Sequence, residues 1–131
     1  MIFVDTSAWF AASVPWDGRH AEAAAWLASC EEPLLTTDYV VDETLTLLRV
    51  RGEAGRSLRM GERFFDGTLG RVVRITDEDY AEAWNTFRRY SDKEWSFTDC
   101  VSKVVIGRLK ITTAFAFDQH FSQFGTVTVV P

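Results

Sequence analysis

Short apolar runs alternate with amphipathic segments from one end of this chain to the other, and that order leaves few folds open. Ile2-Phe3-Val4 reads as a short buried strand. Helical stretches follow at about Ser7 to Val14 and about Arg19 to Cys30, broken by Pro15 and Gly18. Leu34-Leu35-Thr36 is a second strand, entered through Pro33. A helix over Tyr39 to Val50 carries Val40, Val41, Leu45, Leu47 and Leu48 at helical spacing and stops at Gly52. The pattern continues with a helix from about Ala54 to Phe65, a strand Val72-Val73-Arg74-Ile75, and a helix opening at Thr76-Asp77-Glu78-Asp79 and running to about Tyr90. A helix from Phe97 to Leu109, a strand Thr113–Phe117 and a final β-branched strand Thr126–Val130 complete it. Strands separated by helices pair in parallel, and helices then cover both faces of the sheet. At 131 residues one domain spanning 1–131 is expected, large enough to bury a core without covalent staples.

Four carboxylates fall where these strands end or helices begin, each beside an apolar run: Asp5, Glu43, Asp99 and Asp118. In open parallel sheets ligands bind beyond the carboxyl ends of the strands. Asp5 and Asp118 sit at such ends, and Glu43 and Asp99 sit near helix starts that reach the same rim. Each acid also has an ordinary explanation. Ser96-Phe97-Thr98-Asp99 has the Ser-x-x-acid form of a capping box, just as Thr76-Asp77-Glu78-Asp79 has the Thr-x-x-acid form, and the latter is read as purely structural. Asp5 and Asp118 could each cap the segment that follows. Glu43 is harder to set aside, because Val40, Leu47 and Val50 share its side of the helix, and a carboxylate against an apolar stripe is costly to bury unpaired. Asp42, with Asp38, Thr46 and Arg49 on its side, reads as solvent-facing.

Convergence of four acids with no Lys or Arg in their motifs would raise their pKa values, and a divalent cation relieves the repulsion. Hard oxygen donors favour Mg²⁺ or Mn²⁺. Zinc is disfavoured, because His20 and His120 stand alone and the two cysteines lack metal-type spacing. The charge balance agrees with a concentrated site: 14 Lys and Arg against 19 Asp and Glu give −5, and without the four acids the remainder is −1. Such a chain is no general nucleic-acid coat protein. From Arg49 to Arg74, however, seven arginines face three acids, a stretch suited to phosphate or equally to a solvated helix face. Cys30 and Cys100 are expected to be reduced core thiols in a cytoplasmic protein, and no apolar run approaches the ~20 residues of a membrane span.

At these residues the chain resembles the PIN-domain family, and within it the VapC-type toxin ribonucleases of toxin–antitoxin pairs. The features that carry the likeness are the first strand running into Asp5-Thr6-Ser7, Glu43 in a helix start, Thr98-Asp99 at another, and Phe115-Ala116-Phe117-Asp118-Gln119-His120-Phe121 near the end. The resemblance implies a three-layer α/β/α fold around a mostly parallel sheet and Mg²⁺- or Mn²⁺-dependent RNA cleavage leaving a 5′-phosphate. It also implies frequent homodimers, and inhibition by an antitoxin that occupies the site. Asp5, Glu43, Asp99 and Asp118 match the family's catalytic and metal-holding quartet. Ser7 matches a small polar residue supporting the first Asp, and Thr98 matches a hydroxyl often found beside the third acid. Lys103, one turn after Asp99, is not required by the pattern and could pair with a carboxylate or touch a phosphate.

Rival readings lack their own marks. An aspartyl phosphatase needs Asp-x-Asp after the first strand, where this chain has Asp5-Thr6-Ser7. A dinucleotide site needs Gly-x-Gly-x-x-Gly, which is absent. A PIN-like module that binds RNA or protein without cutting would have lost one of the acids, and none is lost. A housekeeping RNA-processing nuclease stays open beside the toxin.

Overall fold

The computed structural model describes all residues, Met1 to Pro131. Five short strands, β1 (Ile2–Val4), β2 (Leu34–Thr37), β3 (Arg71–Val73), β4 (Thr113–Phe115) and β5 (Thr128–Val130), form one sheet in the order β3-β2-β1-β4-β5. Every pairing is parallel. The helices are α1 (Thr6–Ser13), α2 (His20–Ser29), α3 (Asp38–Val50), α4 (Ala54–Phe65), α5 (Asp77–Arg89), α6 (Phe97–Arg108) and the single turn α7 (His120–Gln123). They complete the expected three-layer α/β/α arrangement.

β1 is central because all three of its residues are buried, with Phe3 and Val4 fully so. Leu35, Ala114 and Phe115 on its two neighbours are equally sealed, so the middle of the sheet reads as unbroken apolar sequence. The chain first winds outward from β1 through β2 to β3, then returns to lay β4 and β5 on the other side. The order therefore reverses between β1 and β4, and their carboxyl ends flank the crevice at that switch point.

The strands are shorter than the sequence suggests wherever a side chain captures a backbone amide. The amide of Ile75 donates to Asp38 Oδ1 at 3.3 Å, ending β3 early. The amides of Phe117 and Asp118 donate to Ser7 Oγ, so β4 stops at Phe115. Gly52, at φ +80°, ends α3 as expected. Gly70 is required for a different reason: a Cβ there would lie 2.7 Å from the carbonyl oxygen of Leu34. Cys100 is buried and Cys30 is only partly so, packed at the margin of the core. No helix is long and apolar enough to cross a membrane.

Candidate active site

Asp5 ends β1 and caps α1, with extended backbone at φ −89° and ψ 162°. Its Oδ2 accepts from the Ser7 amide at 3.1 Å and the Ser7 hydroxyl at 2.6 Å. The same hydroxyl oxygen accepts from the amides of Phe117 at 3.0 Å and Asp118 at 3.2 Å. One serine thus uses its donor and both acceptor positions to fasten the start of α1 to the segment after β4. Asp5 is 3% exposed, and burial pushes its carboxyl up to about 7, with the charges of Asp99 and Glu43 adding to the rise against the two Ser7 bonds.

Glu43 lies in α3 and is half-buried. The apolar stripe explains this only in part, since Val40 is sealed while Val50 is 75% exposed. The start of α1 covers the rest: the Thr6 hydroxyl, which accepts from Thr44 Oγ1 at 3.3 Å, is placed to oppose the rise in the Glu43 pKa. Burial raises the Glu43 pKa, and Asp99, Asp118 and Asp42 raise it further. Asp42 itself is exposed.

Asp99 proves to be both a cap and a member of the cluster. Its amide donates to Ser96 Oγ at 3.0 Å and its Oδ2 accepts from the Ser96 amide at 2.9 Å, which completes a capping box. The same Oδ2 lies 2.9 Å from His120 Nδ1. Asp118 is not the cap of α7; its Oδ1 accepts from the His120 amide at 2.9 Å, an Asx-type turn, and lies 3.2 Å from His120 Nδ1. His120 therefore stands between two of the acids, a place that sequence reasoning left unassigned because a lone histidine has no spacing to betray it. Thr98 is half-buried and makes no hydrogen bond to Asp99; Ser96 supplies that hydroxyl. Lys103 extends over the Tyr90 ring, 5.6 Å from its centroid, and pairs with no carboxylate.

The structure thus brings the four acids together at the switch point: Asp5 feels the charges of Asp99 and Glu43, Glu43 those of Asp99 and Asp118, and Ser7 joins Asp5 to the Asp118 backbone. No Lys or Arg forms an ion pair with any of them, and His120 is the one basic side chain in contact. Four carboxylates without a balancing cation are a poor structural arrangement and a good cation site. The donor chemistry agrees: Asp99, Asp118 and His120 each offer a ligand atom within 4.8 Å of the others. Asp5 and Glu43 fall outside this tightest group and join it through their charges. The cluster can hold a divalent cation. No arginine of the Arg49–Arg74 stretch pairs with these acids: Arg56 binds Glu53 and the Ser13 carbonyl, and Arg63 binds Thr68.

A parallel α/β/α domain with a carboxylate cluster at its switch point is the architecture of a PIN-type domain. The PIN domain profile matches residues 2–127, and the chain belongs to that family. It is 36% identical over 136 aligned residues to the 23S rRNA-specific endonuclease VapC20 of Mycobacterium tuberculosis, covering 100% of this chain and 99% of that protein. A VapC ribonuclease of Archaeoglobus fulgidus is 28% identical over 124 residues, covering 91% of this chain and 78% of that one. The crystal structure of M. tuberculosis VapC20, a sarcin-ricin loop cleaving toxin, matches over 100% of both chains with a TM-score of 0.92 and 34% identity. FitAcB from Neisseria gonorrhoeae shares the fold over 100% of this chain and 97% of its own, with a TM-score of 0.71 at 18% identity.

Proposed function

We propose that this protein is a Mg²⁺- or Mn²⁺-dependent endoribonuclease acting as the toxin of a VapBC-type pair, with Asp5, Glu43, Asp99 and Asp118 as its catalytic carboxylates. The observation that carries this is the convergence of four acids with no Lys or Arg to balance them. Likeness to RNA-cleaving relatives over the full chain supports RNA as substrate, and an exposed loop of a structured RNA as the class within it. The VapC naming of the relatives supports an antitoxin partner, and the family resemblance alone carries the expectation of two copies.

Asp5, Asp99 and Asp118 would hold the cation, and Glu43 would complete the shell or orient the attacking water. A divalent cation held there supplies Lewis acidity, drawing charge from a phosphodiester oxygen and making water a stronger nucleophile. Ser7 fixes Asp5 in one rotamer and ties it to the backbone of Asp118, so the two acids move as one body. Thr6, at the start of α1, favours the ionised form of Glu43. Ser96 and His120 hold Asp99, leaving Asp99 Oδ1 without a hydrogen bond from the chain. Water oxygen bonds to phosphorus as the bond to the 3′ oxygen breaks, giving a 5′-phosphate and a protonated 3′-hydroxyl.

The test is cleavage of a structured-RNA pool with Mg²⁺ or Mn²⁺, against EDTA and an Asp5→Asn protein prepared identically. Cation-dependent cutting by wild type alone, with 5′-phosphate ends, is expected. Equal cutting by both proteins would overturn the assignment of the site, and folded, cation-loaded protein that cuts no RNA would overturn the nuclease.

A further inference from the structure

A net charge of −5 and a cluster of four acids leave this chain badly placed to hold a polyanion by its overall field. Grip on RNA must come from local groups beside the site, and the turn between α1 and α2 supplies two of suitable chemistry. Arg19 lays its guanidinium 5.3 Å from the centroid of the Phe117 ring. Phe117 is half-buried, directly precedes Asp118, and has its amide held by Ser7. The positive charge thus rests on the segment that carries one acid of the site, yet pairs with none of the four. Its carboxylate partner is Glu22, 3.6 Å away, and both side chains are exposed. Most of the guanidinium N–H groups remain free for another acceptor.

Trp16, three residues earlier, is 67% exposed. The Arg56 guanidinium lies 5.0 Å from the centroid of its ring and is itself pinned by Glu53 and the Ser13 carbonyl, at 3.1 Å each. An indole held against a fixed guanidinium and otherwise open is a stacking surface. The turn that presents both residues is well tied down. The Asp17 amide donates to the Val14 carbonyl at 3.0 Å, Asp17 Oδ1 accepts from the Arg19 amide at 2.9 Å, and His20 Nδ1 donates to the Ala11 carbonyl at 2.8 Å. Asp17 is half-buried in that task. Unpaired bases are recognised by stacking on aromatic rings, and phosphates by arginine. A protein partner fits worse, because the other exposed residues of the turn are Pro15, Gly18 and Arg19, and no broad apolar patch surrounds the indole.

We propose that the α1–α2 turn is the edge of the site that holds RNA, with Trp16 stacking an unpaired base and Arg19 taking a backbone phosphate beside Asp118. This rests on the nuclease reading above and adds the residues that grip its substrate. Both are binding residues, with no part in holding the cation.

Fluorescence anisotropy tests it, with full-length protein, Mg²⁺ and a labelled RNA hairpin that has an unpaired loop. An Asp5→Asn background keeps the probe intact, and a blunt RNA duplex of the same base composition is the control. Trp16→Ala is expected to weaken hairpin binding at least about tenfold and duplex binding less than about twofold, while Trp16→Phe keeps most of the affinity. Arg19→Gln should weaken both RNAs about fivefold and lower the salt slope of hairpin binding by about 0.7, a change that Trp16→Ala does not make. In the cutting protein each substitution should raise KM and hold kcat within about twofold. Thermal melts check that each variant is folded. Hairpin affinity unchanged by both substitutions, in a protein that still cuts RNA, would overturn this edge and spare the nuclease. Equal losses on hairpin and duplex in Trp16→Ala would overturn the stacking role. Unchanged RNA affinity with a shift in light-scattering mass would make the turn a protein surface instead. A folded wild type that neither binds nor cuts RNA would overturn both readings together.

Discussion

α5 and α6 both begin with a capping box, Thr76 to Asp79 in one and Ser96 to Asp99 in the other, and in each the acid's carboxylate accepts from the cap amide. Both acids are buried, at 2% and 6% exposure. Their surroundings separate them. Asp79 receives a two-pronged contact from Arg108, 2.8 Å to each oxygen. Burial alone would raise its pKa, but Arg108 and Thr76 outweigh that and hold the carboxyl below its ordinary range. Asp99 meets no guanidinium. It faces His120 and lies within the field of Asp5 and Glu43. One local motif therefore serves a structural clamp in one place and a cluster of like charges in the other. What distinguishes them is the partner delivered by tertiary structure, from Arg108 at a separation of 29 residues or from His120 at 21.

Exchanging each acid for its amide should break this comparison most sharply. Asp99→Asn is expected to lower the cleavage rate by about a thousandfold, with the melting temperature of the cation-free protein unchanged or raised as repulsion eases. Asp79→Asn should leave cleavage within about twofold. Rate measurements and thermal melts on the same two proteins check both halves, and equal rate losses would mean that the two boxes do the same work.

The pH dependence of stability should differ in sign between the regions. Asp5 rises from 3.8 to about 7 on folding. Within that window the folded, cation-free protein keeps a proton that the unfolded chain has released, so stability falls as pH rises, by a few kcal/mol at most. Asp79 is lowered on folding, so its contribution is present above the ordinary carboxyl pKa and is lost as pH falls through the lower folded value. Denaturant midpoints across pH 4 to 7 should therefore decline in wild type and flatten in Asp5→Asn; an unchanged slope would remove Asp5 as its source.

Cation addition sharpens the contrast further. At about 100 times its dissociation constant, Mn²⁺ should stabilise wild type by about 2.7 kcal/mol. Glu43→Gln and Asp99→Asn should lose most of that gain and Asp79→Asn none of it, as melting with and without the cation would show. The smallest effect is at the clamp: Arg108→Met should cost about 1–2 kcal/mol, a buried-pair loss discounted because the Arg108 side chain is 39% exposed. A denaturant titration showing no loss would make the clamp ornamental.

Much of this architecture is legible in the sequence because its physics is local. Ile2-Phe3-Val4 and Leu34-Leu35 announce buried strands, Gly52 announces a helix end, and the strand–helix alternation leads to a parallel sheet. The misread boundaries are tertiary in origin. Nothing near Phe117 says that its amide will be taken by Ser7, or near Ile75 that Asp38 will take its own. The candidate site is legible as four acids at strand and helix ends, and obscure wherever a role depends on a distant neighbour. His120 has no periodic partner, and Thr6 meets Glu43 only once α1 lies beside α3. The choice at Asp99 between cap and cluster had no local answer, since one oxygen serves both.

The Ser7 hydroxyl has a bearing on how the chain reaches its active form. Its bonds to Phe117 and Asp118 bridge 110 and 111 residues, and β1 finds one neighbour early in the sequence and the other only at β4. Contacts of such long range are slow to form and belong to the late closure of a fold. An intermediate with β1, β2 and β3 in register but β4 still undocked would leave Asp5 without the amides that lock its serine and without Asp118 beside it. Such a form would lack the full set of acids, so the complete cluster is expected to arrive only with the docking of β4 against β1.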